Sequence, residues 1–277
     1  MSLNGKTWKR VGLGAVALVS TAVLAACGGK SSSTSSKTDE INWYTPTEIS
    51  TLDISKVTDS YSSIAIGNSG SNLLRRNEDG ELKPDLAEKV EVSEDGLTYI
   101  ATLRDGLKWS DGSDLTADDF VYTWQRIVDP ATASEYAYLA SDAHVLNVAE
   151  VINGTKSVDE LGVKADGNKV IFTLSSPSPQ FMSLLTFANF VPQNKAFVEK
   201  AGSDYATTSE KALYSGPYTV KNWNGSNGSF TLVKNKYYWD AKNVKLKKVN
   251  VQAVKKPDTA VQMYKDGELD TANISGT

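Results

Sequence analysis

The sequence predicts a mixed α/β (α+β) fold, and three observations support that class. Segments of alternating apolar and polar residues, typical of half-buried strands, recur along the chain and are clearest at residues 97–103. Turn pairs such as Asp-Gly separate several of these segments, as they do in β-hairpins. Residues 117–128 instead carry apolar side chains at helical spacing. Strands and helices are therefore expected to build a common core.

Strands and helices follow one another through the first half of the chain. Thr45-Pro46 ends the first strand, and the polar, extended stretch 51–60 precedes the first helix. Thr116 is expected to be the N-cap of the next helix, and Asp129-Pro130 ends it because proline disrupts a helix. The predicted elements are a strand at 41–44, a helix at 61–74, a short strand around 90–92, a strand at 97–103 and a helix from 117 to 128.

The second half reads as mostly β-structure after one long helical stretch. Asp166-Gly167 is the expected turn of a strand pair, and Gly267 is expected to stop the last helix. The predicted elements are a helical stretch at 135–152, strands at 161–163, 169–174, 218–223, 229–234 and 247–254, and a helix at 258–266.

The N-terminus has the three zones of a secretory signal. Lys6, Lys9 and Arg10 precede an apolar run, which ends in small residues before Cys27. The cysteine at the cleavage point makes this a lipobox, so we expect a signal peptide at 1–26, a lipid on Cys27, and a flexible tether within 27–40. The alternative is an uncleaved anchor helix, although the apolar run is short for a membrane span.

The charge and the residue types exclude several functions. The net charge of −4 argues against a nucleic-acid partner. His144 is the only histidine and Cys27 the only cysteine, so a zinc site is not expected, and a Ser-His-Asp enzyme would rest wholly on His144. Asp118-Asp119 suggests calcium less than it suggests the first turn of a helix. We therefore expect no catalytic residue, no metal and no cofactor, although a glycosidase pair of carboxylates stays open.

Several short motifs in a fixed order carry a family resemblance. They are Pro-Asp-Leu-Ala-Glu-Lys at 84–89, Leu-Arg-Asp-Gly-Leu-Lys-Trp-Ser-Asp-Gly at 103–112, Thr-Ala-Asp-Asp-Phe-Val-Tyr-Thr-Trp at 116–124, Asp-Pro-Ala-Thr-Ala-Ser at 129–134, Ser-Gly-Pro-Tyr at 215–218, Asn-Lys-Tyr-Tyr-Trp at 235–239 and Tyr-Lys-Asp-Gly-Glu-Leu-Asp at 264–270. The set resembles bacterial extracellular solute-binding protein family 5, and residues 129–134 resemble its oligopeptide-binding lipoproteins, which serve ABC importers.

The resemblance implies a fold and a domain division. Members have a periplasmic-binding-protein-like type II fold, here with a smaller α+β lobe at 71–192 inserted into a first lobe of 41–70 plus 193–277. Members are also about twice this length. The resemblance therefore leads us to expect an incomplete fold, with the C-terminal lobe missing and peptide binding weakened.

The resemblance also implies a function and a set of ligand contacts. Members capture oligopeptides outside the cell and deliver them to an ABC permease in the membrane, without chemistry and without a cofactor. We expect a monomer held by its lipid on the outer face of the cytoplasmic membrane, as in Gram-positive bacteria. The peptide would add as a strand. The implied contacts are Thr58, Asp59 and Ser60 as the edge strand, Tyr136 from the smaller lobe, and Asn273, Ile274 and Ser275 in a crossover segment.

Two other functions stay open on the sequence. A binding protein of this kind could take a signalling peptide or a metal chelate instead of nutrient peptides. A surface hydrolase would need His144 as its general base. Each implied contact could also be an ordinary loop residue, because sites on loops transfer loosely between relatives.

Overall fold

The computed structural model describes residues 39–273, within the compact unit 38–277. The strands are β1 (Glu40–Thr45), β2 (Leu74–Arg76), β3 (Leu82–Pro84), β4 (Ala87–Val92), β5 (Thr98–Leu103), β6 (Val163–Asp166), β7 (Lys169–Thr173), β8 (Tyr218–Lys221), β9 (Ser229–Lys234) and β10 (Lys248–Ala253). The α-helices are α1 (Ser60–Ser69), α2 (Ala117–Val128), α3 (Tyr138–Asp142), α4 (Val148–Ile152), α5 (Phe181–Leu184), α6 (Lys195–Ala201) and α7 (Pro257–Lys265).

The first sheet joins the two ends of the described chain. Its strand order is β1-β10-β9-β8, with β1 parallel to β10 and the other neighbours antiparallel. The register pairs Glu40 with Lys248 at one end and Thr45 with Ala253 at the other. Because side chains alternate between the faces of a strand, Val249 and Val251 are buried while Asn250 faces outward.

The second sheet is antiparallel in the order β4-β5-β7-β6 and packs against α2. Trp124 of α2 is fully buried, and its ring stacks on Phe190 with 4.0 Å between centroids. The prediction that Thr116 caps this helix is confirmed, because the Asp119 carboxylate accepts a hydrogen bond from the Thr116 backbone N–H at 2.9 Å. Predicted strands at 97–103 and 169–174 are also confirmed, as β5 and β7.

Two large hydrophobic clusters form the core. The first is built from buried residues between 73 and 190 and includes Trp109, Trp124 and Phe172. The second combines buried residues from 49–66 with others from 191–251, including Trp223. The chain therefore leaves the second cluster after α1 and returns to it near Val191.

Two predicted helices were wrong in extent. The helix expected at 61–74 ends at Ser69, where Gly216 N–H donates to the Ser69 carbonyl and the chain turns into β2. The stretch 135–152 is two short helices, α3 and α4, because His144 and Asn147 both adopt left-handed backbone angles, with φ of 59° and 64°. Among residues 39–273, no helix is both long and apolar enough to cross a bilayer.

Gly216 is required where its backbone meets the end of α1. A Cβ at Gly216 would lie 2.6 Å from backbone atoms of Gly70, so we expect Gly216→Ala to lower the free energy of unfolding by roughly 1–3 kcal/mol. Gly67 lies within α1, and a Cβ there meets no atom within 4 Å. Gly67→Ala should therefore raise stability by about 0.5–1 kcal/mol. Urea denaturation measures both, and equal effects of the two substitutions would contradict this account.

Asp119 makes stability depend on pH. Burial, more than any other cause, raises the pKa of Asp119 to about 6, against about 3.9 in an unfolded chain. The folded state therefore binds this proton more tightly, so stability should be greatest below about pH 4 for this group and fall as the pH rises through 6. In Asp119→Asn this dependence between pH 4 and 7 should disappear. Denaturation at several pH values tests this, with Asp258→Asn as the control, because Asp258 is exposed in the first turn of α7.

Candidate ligand-binding site

A cleft of about 440 Å³ opens at the carboxyl ends of the parallel strands β1 and β10. Its volume lies within the range of ligand pockets, about 300–1,000 Å³, and strand carboxyl ends are where open α/β sheets bind ligands. The lining residues are Trp43, Tyr44, Thr45, Pro46, Tyr61, Ile64, Val254, Pro257 and Asn273. None of them carries a formal charge, so the cleft suits an uncharged part of a ligand.

Helix α1 forms one wall of the cleft. Tyr61 and Ile64 lie three residues apart and so share one face of the helix. The Asp59 carboxylate caps this helix, accepting from the backbone N–H groups of Tyr61 at 3.0 Å and Ser62 at 2.8 Å. The start of the helix, and with it the Tyr61 ring, is therefore held by Asp59.

The predicted edge strand at residues 58–60 was wrong as secondary structure. Asp59 has an extended backbone, with φ −101° and ψ 149°, but it is the N-cap of α1, and the helix begins at the next residue, Ser60. Burial would raise the pKa of Asp59, but hydrogen bonds from Ser50 and Ser62 outweigh it and lower that pKa. The carboxylate is thus committed to the cap. Thr58 and Ser60 are exposed, and their role as ligand contacts stays a prediction.

The loop that leads to these residues is held by an ion pair between the buried Asp53 and the partly buried Arg126. Arg126 of α2 donates to both carboxylate oxygens of Asp53, at 2.6 and 2.8 Å, and to Gln193 Oε1 at 2.7 Å. Gln193 in turn donates to the Ser55 hydroxyl at 2.9 Å. The loop is therefore attached at two points, Asp53 and Ser55, to residues distant in the sequence.

The charges of this network stabilise each other. Burial would lower the pKa of Arg126, but the hydrogen bond and the charge of Asp53 raise it above its ordinary value. The Tyr205 ring lies 5.2 Å from the guanidinium carbon, and burial raises the pKa of Tyr205. The bidentate geometry needs a planar guanidinium, which lysine does not supply.

Of the other predicted ligand contacts, the structure places Asn273 in the cleft lining and Tyr136 outside it. Asn273 lines the cleft, and its backbone N–H donates to the Tyr44 hydroxyl at 3.1 Å. Tyr136 does not line this cleft; its ring stacks on Tyr138, with 6.0 Å between centroids. Ile274, Ser275 and Cys27 lie outside the described residues, as do the predicted signal peptide and most of the tether.

Sequence reasoning missed most of the cleft lining. Trp43, Tyr44, Tyr61 and Ile64 were assigned only to a strand and a helix. The available signal was Tyr44-Thr45-Pro46, which marks the carboxyl end of a strand, because open α/β sheets bind ligands beyond the carboxyl ends of their strands. That signal needed the knowledge that β1 runs parallel to β10, which a sequence pattern does not give.

The residues that the sequence offered as candidates for metal binding or catalysis, Asp119 and His144, do not form an active site within residues 39–273. Asp119 is part of the α2 cap and also accepts from Trp109 Nε1 at 3.2 Å. His144 is exposed and has a left-handed backbone. Within residues 39–273, no group of three or more His, Cys, Asp or Glu side chains is arranged to hold a metal ion.

The chain is similar to known proteins both in sequence and in fold. The dipeptide-binding protein of Lactococcus lactis subsp. cremoris is 40% identical over 276 residues, covering 98% of this chain and 49% of that protein. The structure of Listeria monocytogenes OppA bound to peptide is 36% identical with a TM-score of 0.81, over 84% of this chain and 46% of that one. The structure of the pheromone receptor PrgZ is 33% identical with a TM-score of 0.82, over 86% and 47%.

These likenesses define the class of fold as periplasmic-binding-protein-like, type II, of which the chain covers a part. The model of the family described as bacterial extracellular solute-binding proteins, family 5 Middle, matches residues 81–277. The chain belongs to this family of solute-binding proteins. It spans about half the length of the curated relatives it matches.

Removal of the Arg126 guanidinium should be strongly destabilising, because Asp53 would be left buried and unpaired. We expect Arg126→Met to lower the free energy of unfolding by about 3–5 kcal/mol, and a double variant that adds Asp53→Asn to lose less. Lys195 forms an exposed i,i+4 pair with Glu199 at 3.8 Å, so Lys195→Met should change stability by about 0.5 kcal/mol or less. Chemical denaturation of the four proteins tests this. A double variant as unstable as Arg126→Met would contradict it.

Proposed function

We propose that this chain captures oligopeptides outside the cell for an ABC importer and performs no chemistry on them. Family membership carries the proposal, and the uncharged cleft at the strand ends supports it. The peptides that such a receptor binds differ widely in their side chains. Hydrogen bonds to the peptide main chain can therefore supply most of the affinity, while pockets of low selectivity accept the side chains. The apolar lining of the cleft suits one such pocket.

The proposed ligand contacts come from the start of α1, from the last residues of the chain and from the smaller lobe. Thr58 and the N-cap Asp59 precede α1, Ser60 is its first residue, and Asn273 lines the cleft. Ile274 and Ser275 follow Asn273 directly, and we propose them as contacts because the family resemblance implies a crossover segment at these three residues. Tyr136 is proposed to reach a ligand from the smaller lobe.

The proposed location is the outer face of the cytoplasmic membrane, in a Gram-positive bacterium. There the signal peptide of residues 1–26 would be removed, Cys27 would carry the lipid, and the permease of the importer would lie in the same membrane. Attachment of a receptor beside its transporter raises the effective concentration of one for the other. We propose that the receptor acts as a monomer.

We also propose two lobes, one of residues 41–70 plus 193–277 and an inserted one of residues 71–192. The two large hydrophobic clusters support this division, since one lies within 73–190 and the other combines residues from before and after that range. The Arg126–Asp53 pair would then join the lobes, because Asp53 precedes the insertion and Arg126 is in it.

Calorimetric titration tests the function. The chain from residue 28 is titrated with a pool of short peptides, after a cooperative thermal transition shows that it is folded. We expect measurable binding, and at least a tenfold loss of affinity in Ile64→Asp, because the new carboxylate would be desolvated beside the ligand. Leu146→Asp is the matched control, since Ile64 and Leu146 are both 37% exposed and Leu146 is remote in sequence from the cleft lining. No heat from folded protein would contradict the proposal.

A signalling peptide is the second candidate ligand, because one similar structure is that of a pheromone receptor. A receptor for a signalling peptide would bind that one peptide with far higher affinity than it binds the other peptides of the pool. Separate titration of the pool fractions distinguishes the two functions. Recovery of cleaved peptide after incubation would instead favour the hydrolase hypothesis.

A further inference from the structure

The connection between β9 and β10 concentrates positive charge. Residues 234–248 contain six lysines and one aspartate, a net charge of +5 in a chain whose net charge is −4. Lys236, Lys242, Lys245 and Lys247 of this segment are exposed, and we call these four residues the basic surface. The charge of the whole chain therefore conceals a strongly positive region.

Little within the described residues neutralises the basic surface. Lys247 pairs with Asp39 at 2.6 Å, but Lys236, Lys242 and Lys245 form no salt bridge among residues 39–273. Asp240, the acidic residue of the segment, is buried and accepts a hydrogen bond from the Asn243 side chain. Three positive charges are thus free to act on a partner.

The connection is held firmly against the rest of the fold. Asn235 donates from its backbone to Pro217 O at 2.8 Å and from its side chain to Gly216 O at 2.9 Å. Trp239 Nε1 donates to the buried Asp85 carboxylate at 2.9 Å, and the Arg104 guanidinium carbon lies 3.9 Å from the centre of the Trp239 ring. The lysines are therefore displayed on an ordered segment, which lowers the entropy lost when a partner binds.

The position of the basic surface points to its partner. The first described residue, Asp39, accepts backbone hydrogen bonds from Lys247 and Lys248, so the chain enters the fold beside the basic surface. Residues 28–38 join Asp39 to Cys27, a path of at most about 40 Å when fully extended. A lipid on Cys27 would therefore keep this end of the molecule within about 40 Å of the bilayer, and the basic surface lies beside the point of attachment.

The basic surface and the cleft lie at opposite ends of the strands β1 and β10. Glu40 pairs with Lys248 beside the basic surface, whereas Thr45 and Val254 at the far ends of β1 and β10 line the cleft. Six residues of strand separate the two ends by roughly 20 Å. A molecule that rested its basic surface on a membrane would hold the cleft away from the lipid headgroups.

We propose that the basic surface binds the anionic phospholipids of the bilayer to which the chain is attached, and so orients the receptor with its cleft directed outward while it captures peptide, before it meets the permease. The proposal rests on the lipid attachment proposed for Cys27. Each lysine near an anionic bilayer strengthens association about fivefold, so three unpaired lysines strengthen it about a hundredfold, in a manner that salt weakens.

Lysine footprinting on vesicles tests the orientation. The chain from Cys27 contains the whole compact unit, and its one thiol allows coupling to a maleimide lipid, so the experiment does not depend on natural lipid attachment. Acetylation of lysines is then measured by mass spectrometry on vesicles of phosphatidylcholine with and without phosphatidylglycerol. We expect the basic surface to be acetylated severalfold more slowly on the anionic vesicles at low salt, and equally fast at high salt.

Two variants with the same charge complete the test. In Lys236→Gln/Lys242→Gln/Lys245→Gln, the protection of Lys247 should be lost. In Lys164→Gln/Lys169→Gln/Lys200→Gln, which removes three exposed lysines elsewhere, it should remain. Equal acetylation on both kinds of vesicle, or equal behaviour of the two variants, would overturn the proposal. Protection by soluble poly(glycerol phosphate) but not by anionic vesicles would also overturn it, in favour of a wall polymer. Peptide titration of the same protein reports on the cleft separately.

Discussion

The largely buried pair between Arg126 and Asp53 is the interaction on which the arrangement of this molecule depends. Arg126 belongs to α2, which packs in one hydrophobic cluster, and Asp53 belongs to a loop whose neighbours Leu52 and Ile54 pack in the other. A bidentate pair has one geometry, so it holds the two clusters in a single relation. Gln193 and Ser55 extend the same network, because Gln193 accepts from Arg126 and donates to the Ser55 hydroxyl.

The same pair has a consequence for the candidate site. Asp53 and Asp59 lie at either end of a short loop, the first held by Arg126 and the second capping α1. Because both ends are held, the residues between them have little freedom, and the α1 wall of the cleft starts at a defined point. Preorganisation of this kind lowers the entropic cost of binding a flexible ligand.

The first sheet gives the molecule a polarity. Its parallel pair, β1 and β10, has carboxyl ends that meet at an uncharged cleft and amino ends that meet at a lysine-rich connection. An antiparallel pair would have placed one strand end of each kind at both edges. A single strand pairing thus separates an uncharged cleft at one end of the sheet from a charged surface at the other.

The sequence by itself determined the elements whose signals are local. Thr116 and Asp119 begin α2, the alternation at 97–103 gives β5, and short motifs identify the solute-binding family. Only the tertiary structure decided where α1 ends, why residues 135–152 break into two helices, and that Tyr61, Ile64 and Asn273 meet at one cleft. The physical reason is distance along the chain. Gly216 meets Ser69, and Asn273 meets Tyr44, across more than a hundred residues, and no local pattern of side chains encodes such contacts.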